Sequence, residues 1–168
     1  SPAYVWRGRA LVAARHFAPV PLDLLTGIDA QKAAFLANVR RLAAGAAAHD
    51  VLLWGAKGTG KSALAKSTVA RVQAEGGAIA LVDVAADRLD SLPALFAVLD
   101  GLPRAFLLFI DDIGFEAGGA ETRMLRSLLE GGAEARPANA RLCVTSNRRH
   151  IVARDLAEQE SAINPRDI

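Results

Sequence analysis

Residues 55–62 read Gly55-Ala56-Lys57-Gly58-Thr59-Gly60-Lys61-Ser62 and directly follow a short apolar run, residues 51–54. In such a pattern, glycines let the backbone curl so that successive N–H groups point at phosphate oxygens. A helix that begins near Lys61 adds its positive end at the same place. The pattern G-x-x-x-x-G-K-[ST] between an apolar strand and a helix therefore predicts a phosphate-binding loop.

The individual residues of this loop predict a site for ATP with Mg²⁺. Lys61 supplies a positive charge for the β- and γ-phosphates, and the Ser62 hydroxyl is a ligand for Mg²⁺. Ala63, the next residue, joins the eight loop residues in the predicted nucleotide-binding set, and Lys57 lies inside the loop. The sequence contains no Asn-Lys-x-Asp segment that would read guanine, which favours ATP over GTP.

An acidic pair, Asp111 and Asp112, follows the uncharged run of residues 105–110. The carboxyl ends of parallel strands gather at one edge of a sheet, so we expect this pair beside the phosphate loop. Asp111 would hold the Mg²⁺ shell through water, and Asp112 would polarise the attacking water. Glu116, a few residues further on, is a rival for that second role.

A polar triplet, Thr145-Ser146-Asn147, ends the next apolar run. Asn147 either orients the attacking water or reports the γ-phosphate, or it merely turns the chain, and the residues alone leave these possibilities open. Cys143, inside the run, is expected to be a buried small hydrophobe rather than a catalytic thiol.

Apolar runs alternate with helical patterns along most of the chain. Predicted strands cover residues 51–54, 78–84, 105–110 and 142–145, and predicted helices cover residues 29–48, 61–75, 92–99 and 122–130. This alternation predicts an α/β fold whose mostly parallel central sheet has helices on both faces. Residues 1–25 are expected to be irregular, with Pro2, Pro19 and Pro21 as breakers. We therefore divide the chain into an N-terminal extension and helix, 1–48, and a P-loop core, 49–168.

The composition narrows the classes of function. The hydrophobic fraction of 52% predicts a folded domain, while only 5% of residues are aromatic, which disfavours a base-stacking platform for single-stranded nucleic acid. The net charge is +2, so a weak preference for nucleic acid remains open. One cysteine and the lack of a long apolar run predict a cytoplasmic location with no membrane span. The chain starts at Ser1 rather than Met, which is consistent with a piece of a longer protein.

Several motifs together carry a resemblance to a known family. They are residues 25–32, 52–62, 110–116, 129–132, 136–137 and 145–150. This combination resembles a bacterial family of P-loop ATPases of unknown function that is related to the AAA+ class. The resemblance covers residues 21–168 and implies a three-layer P-loop fold.

The resemblance also implies site residues and partners. The phosphate loop would be Walker A, Asp111 and Asp112 would be Walker B, and Asn147 would be the sensor-1 residue. Gly27 and Ile28 would lie near the adenine. The complete protein would form a homo-oligomer that uses ATP and Mg²⁺ on a macromolecular partner that the sequence does not name.

Two departures from the AAA+ pattern keep alternatives open. AAA+ ATPases usually carry Glu where this chain has Asp112, so hydrolysis could be slow or could rely on Glu116. AAA+ proteins also have a further strand, an arginine finger and a lid, which we expect beyond residue 168; Arg148 and Arg149 are the nearest finger candidates.

The leading hypothesis is an ATPase that acts on an unidentified macromolecule. The alternatives are a helicase-loader or transposition-helper ATPase on nucleic acid, and an ATP-dependent switch without turnover. A small-molecule kinase is disfavoured, because no arginine-rich lid is visible in the sequence.

Overall fold

Six strands form one sheet in the computed structural model, which describes residues 1–25, 29–54, 60–111, 113, 119–130 and 136–146. The strands are β1 Ala3–Trp6, β2 Leu11–Ala13, β3 Val51–Trp54, β4 Ile79–Val84, β5 Ala105–Ile110 and β6 Ala140–Ser146. Their order is β2-β1-β4-β5-β6-β3, and every neighbouring pair is parallel except β1 with β2. The predicted mostly parallel sheet is therefore confirmed.

Helices cover both faces of this sheet, as the alternating pattern predicts. The helices are α1 Asp29–Ala43, α2 Lys61–Ala74, α3 Leu92–Leu99 and α4 Ala120–Glu130, with short 3-10 segments at Leu22–Leu24 and Ala86–Ser91. One apolar cluster joins α3 and α4 to one face, and a second joins α1 and α2 to the other. The arrangement has three layers.

Strand β5 explains why its sequence is apolar without alternation. Phe106, Leu108 and Ile110 enter the cluster on the α3 and α4 face, whereas Leu107 and Phe109 enter the opposite cluster. Successive side chains of a strand point to opposite faces, and both faces of β5 are covered. All six residues of the strand are buried.

The prediction that residues 1–25 are irregular is wrong, because β1 and β2 add a hairpin to the edge of the sheet. Tyr4, Val5 and Trp6 are residue types that favour strands, and β1 pairs in parallel with β4. Trp6 is buried and its Nε1 donates a hydrogen bond to Ser91 Oγ at 2.8 Å. The three prolines lie outside both strands. The division after residue 48 stays a prediction.

Helix α1 ends at Ala43, five residues before the predicted end. Gly45 has a φ of 75° and donates its N–H to Leu42 O, while the Ala46 N–H reaches Arg41 O. This is the pattern by which a left-handed glycine closes a helix. Alanine is a strong helix former, so the alanine-rich sequence on both sides of Gly45 led to the prediction of a helix that continues past Ala43.

Candidate functional site: the carboxyl edge of strands β3, β5 and β6

Three neighbouring strands end at the edge of the sheet where Lys61 and Asp111, two of the predicted site residues, lie. Strand β6 lies between β5 and β3, with Ile110 opposite Val144 and Trp54 opposite Ser146. Because the three strands are parallel, their carboxyl ends share an edge. Asp111 follows β5 directly, and Lys61 begins the helix that comes after β3.

Lys61 lies at the first turn of α2 and contacts the end of β6. Its Nζ donates a hydrogen bond to the Ser146 carbonyl oxygen at 3.0 Å. Gly60 is the N-cap of α2, with φ 85° and ψ 17°, a left-handed conformation that suits glycine. A glycine N-cap has no side chain to offer the first turn, and such a helix N-terminus favours an anion. Ser62 and Ala63 follow in this turn and are half-buried.

Asp111 is exposed at the end of β5, and its carboxylate is positioned by β6. Thr145, which is fully buried, donates a hydrogen bond from Oγ1 to Asp111 Oδ1. The Thr145 carbonyl oxygen in turn accepts the Ile113 N–H at 3.0 Å. Thr145 thus contacts the residues on both sides of position 112.

The oxygen donors at this edge fit a magnesium ion that is shared with phosphate. Mg²⁺ is usually bound by one or two carboxylates together with waters and phosphate oxygens. The Asp111 carboxylate and the Ser62 hydroxyl belong to this donor class. Within the described residues, no group of three or more His, Cys, Asp or Glu could hold a metal by itself.

Burial determines the chemistry of Cys143 on β6. The side chain is fully buried, and this burial raises the pKa of the thiol, with a further rise from the nearby charge of Asp111. A thiol that stays protonated is a poor nucleophile. The prediction of a buried small hydrophobe is confirmed.

Many of the predicted site residues lie outside the described residues. They are Gly27, Ile28, Gly55, Ala56, Lys57, Gly58, Thr59, Asp112, Glu116, Asn147, Arg148 and Arg149. Their roles stay predictions. Sequence reasoning missed that Thr145 positions Asp111 and that the Ser146 carbonyl binds Lys61. The available signal was the alignment of two strand ends, Ile110-Asp111 and Val144-Thr145.

The sequence matches the family described as "Protein of unknown function (DUF815)" over residues 1–168. The chain belongs to the DUF815 family. This agrees with the resemblance drawn from the motifs. No curated protein matches this DUF815 chain.

Solved structures place the DUF815 chain in the AAA+ P-loop fold. It superposes on the Thermotoga maritima RuvB Holliday junction branch migration motor with a TM-score of 0.54 and 23% identity, covering 86% of this chain and 47% of RuvB. The Aeropyrum pernix ORC1 protein in complex with DNA gives 0.59 at 16% identity, covering 84% and 45%. C. elegans PCH-2 gives 0.54 at 19% identity, covering 80% and 41%.

These similarities bear on the fold of the DUF815 chain and not on its partner. The chain spans less than half the length of each of these proteins.

Of the helices in the described part of the chain, none is long and apolar enough to cross a membrane.

Proposed function

We propose that this chain binds ATP with Mg²⁺ at the carboxyl edge of β3, β5 and β6, and hydrolyses it. The observation that carries the proposal is the convergence of two contacts on β6. Lys61 reaches the Ser146 carbonyl, and Asp111 accepts a hydrogen bond from Thr145. The end of one strand thereby contacts both the cation that we propose for phosphate and the carboxylate that we propose for the metal.

Each residue has a role that follows from its chemistry. The Lys61 ammonium would exchange the Ser146 carbonyl for phosphate oxygens, which are stronger acceptors because they are charged. Ser62 and Asp111 would hold Mg²⁺, and this ion would neutralise charge on the phosphates. Asp112 would accept a proton from the attacking water, and Asn147 would orient that water.

The role that we propose for Asp112, accepting a proton from the attacking water, is supported by the contacts of its two neighbours in the chain. Asp112 stands between Asp111 and Ile113 in sequence, and both neighbours are tied to Thr145. Neighbours that are anchored in this way support the role of a general base, which must act from a fixed position. Glu116 stays the alternative, because Asp112 is one methylene shorter than the Glu of AAA+ proteins.

For the partner, we propose a macromolecule on which an oligomer of the complete protein acts. Nucleic acid is the first candidate to test. Its support is the net charge of +2 and the fold shared with RuvB, described as a Holliday junction branch migration motor, and with ORC1, described in complex with DNA. Binding that weakens steeply as salt rises would favour a nucleic-acid partner.

The experiment that tests the proposed hydrolysis measures phosphate release and ATP binding in parallel. Asp112→Asn should retain ATP binding and lose turnover by about 10²-fold or more, the contribution expected of a general base. Asp87→Asn is the matched control, because Asp87 is exposed on the 3-10 segment and should leave turnover unchanged. Undiminished turnover in Asp112→Asn would indicate that Glu116 is the general base instead. If the wild-type protein binds ATP but shows no turnover, the proposal of an ATPase gives way to that of an ATP-dependent switch.

A further inference from the structure

A separate cavity of about 390 Å³ lies between strands β1 and β4, helix α2 and residues 14–19. Its floor is built by the two strands. Val5 pairs with Asp83 and Ala3 pairs with Leu81, so these four residues share one face of the sheet. The volume falls in the range of pockets that bind small molecules, about 300–1,000 Å³.

Two opposite charges line this cavity. Asp83 is half-buried on the floor, and Lys66 comes from α2. Burial raises the pKa of the Asp83 carboxyl, the nearby Lys66 ammonium lowers it, and the charge of Asp111 raises it. Within the described residues, neither side chain makes a hydrogen bond or a close ion pair. The cavity therefore offers an acceptor and a donor whose hydrogen-bonding capacity is not used there.

The segment over the cavity adds cationic and apolar groups. Arg15 and His16 are exposed lining residues, and Phe17 is half-buried against the α1 and α2 cluster. Counting Arg15 and Lys66 against Asp83, the lining carries one more permanent cation than anions. A ligand that matches this lining is an anion that also presents an N–H group to Asp83.

This cavity is distinct from the predicted phosphate site. Lys66 follows Lys61 by five residues in the same helix. Five residues of α-helix correspond to about 7.5 Å along the axis and about 140° around it. The two lysines therefore face different sides of α2, and a ligand in the cavity does not need the phosphate loop.

We propose that this cavity binds a small organic anion that carries an N–H donor. Asp83 accepts from the donor group, while Lys66 and Arg15 bind the anionic group. Two sources supply this chemistry: a free α-amino acid, with an ammonium and a carboxylate, and a nucleoside monophosphate, with ring or exocyclic N–H groups and a phosphate.

The test is calorimetric titration of the full chain with the common α-amino acids and, separately, with AMP, GMP, CMP and UMP. We expect at least one probe to bind more tightly than about 1 mM. Asp83→Asn and Lys66→Met should each weaken that binding by about tenfold or more, because each removes a charged hydrogen-bond partner. Lys61→Ala and Asp87→Asn should leave it unchanged. Circular dichroism of each variant verifies that the fold is kept.

The outcomes separate the sources and the sites. If an amino acid binds, and Asp83→Asn and Lys66→Met weaken that binding while the other two variants do not, the anionic group of the ligand is a carboxylate. If a nucleotide binds with the same effects of the variants, the anionic group is a phosphate. Either result supports the proposal. If no probe binds, or if Asp83→Asn and Lys66→Met bind as wild type does, the proposal is overturned. Binding that only Lys61→Ala removes also overturns it, because the ligand then occupies the phosphate loop.

Discussion

Thr145 Oγ1 donates a hydrogen bond to Asp111 Oδ1 where β6 and β5 end side by side. Thr145 is fully buried and Asp111 is exposed, so a fixed group of the core positions a carboxylate that faces solvent. A carboxylate held in one orientation loses less rotamer entropy when it joins a metal shell. This contact is the feature of β6 that most directly links the fold to the proposed metal site.

Thr145→Val should weaken Mg²⁺-dependent ATP binding by about tenfold. Valine keeps the shape of threonine but cannot donate to Asp111, and a hydrogen bond to a charged group contributes about 1.5 kcal/mol or more. Titration of ATP at several Mg²⁺ concentrations measures the effect. Thr68→Val is the matched control, because Thr68 is equally buried on α2 and its Oγ1 has no hydrogen-bond partner in the described residues. Equal binding by the two variants would show that Thr145 does not position the metal ligand.

Asp50→Ala should destabilise the fold by about 3–5 kcal/mol, the usual effect of breaking a buried ion pair. Asp50 is 5% exposed, and its Oδ1 accepts from Arg136 Nη2 at 2.5 Å and from the Leu142 N–H at 2.8 Å. This ion pair connects Arg136, which lies before β6, to Asp50, which directly precedes β3. Urea unfolding at neutral pH measures the loss.

The control for that variant is Asp23→Ala. Asp23 pairs with Arg71 at 3.4 Å, but its side chain is 82% exposed. An exposed pair contributes about 0–1 kcal/mol. Similar losses in the two variants would contradict the structural role assigned to the buried pair.

Asp83→Asn should make the protein more stable at neutral pH. Burial, acting against Lys66, holds the pKa of this carboxyl above its ordinary value. A raised pKa means that the folded state binds the proton of Asp83 more tightly than the unfolded state does. This proton binding stabilises the fold fully at a pH below the pKa of Asp83 in the unfolded chain. The stabilisation is lost as pH rises through the pKa of Asp83 in the folded protein. Asparagine does not ionise and so avoids this loss of stability. The extra free energy of unfolding of Asp83→Asn over wild type should therefore shrink toward acid pH.

Free energies of unfolding at pH 7 and below the ordinary aspartate pKa of about 3.9 test this prediction. Of the described residues, Tyr4, Arg15, His16 and Lys66 line the same cavity as Asp83, and Asp111 contributes a nearby charge. All five are common to both proteins. Asp87→Asn, at an exposed position, should show no such pH-dependent gain. A less stable Asp83→Asn protein at pH 7 would mean that attraction to Lys66 outweighs burial.

The sequence predicted the elements whose signals are local. The apolar run of β5 has no alternation because both faces of the strand are buried, and a buried parallel strand is typically recognised by such a run. Helix α2 begins at Lys61 as predicted, because the glycine-rich loop marks its start. Strand β1 was missed because it is four residues long and is stabilised by pairing with β4, far along the chain.

The site was predictable in its residue types but not in its contacts. The pairs Lys61 with Ser146 and Asp111 with Thr145 are 85 and 34 residues apart in sequence. Which atoms meet depends on the register of β6 against β5 and β3. Strand register follows from tertiary packing of the faces rather than from a local motif.

The most direct test of the central claim, that Lys61 binds the phosphates of ATP, is thermal unfolding with and without ATP and Mg²⁺. Wild type and the control Arg71→Ala, which changes a half-buried residue in the last turn of α2, should both be stabilised. At 100 times the dissociation constant the gain is about 2.7 kcal/mol, a shift of several degrees. Lys61→Ala should show no shift. An equal shift in Lys61→Ala, or none in wild type, would contradict the claim.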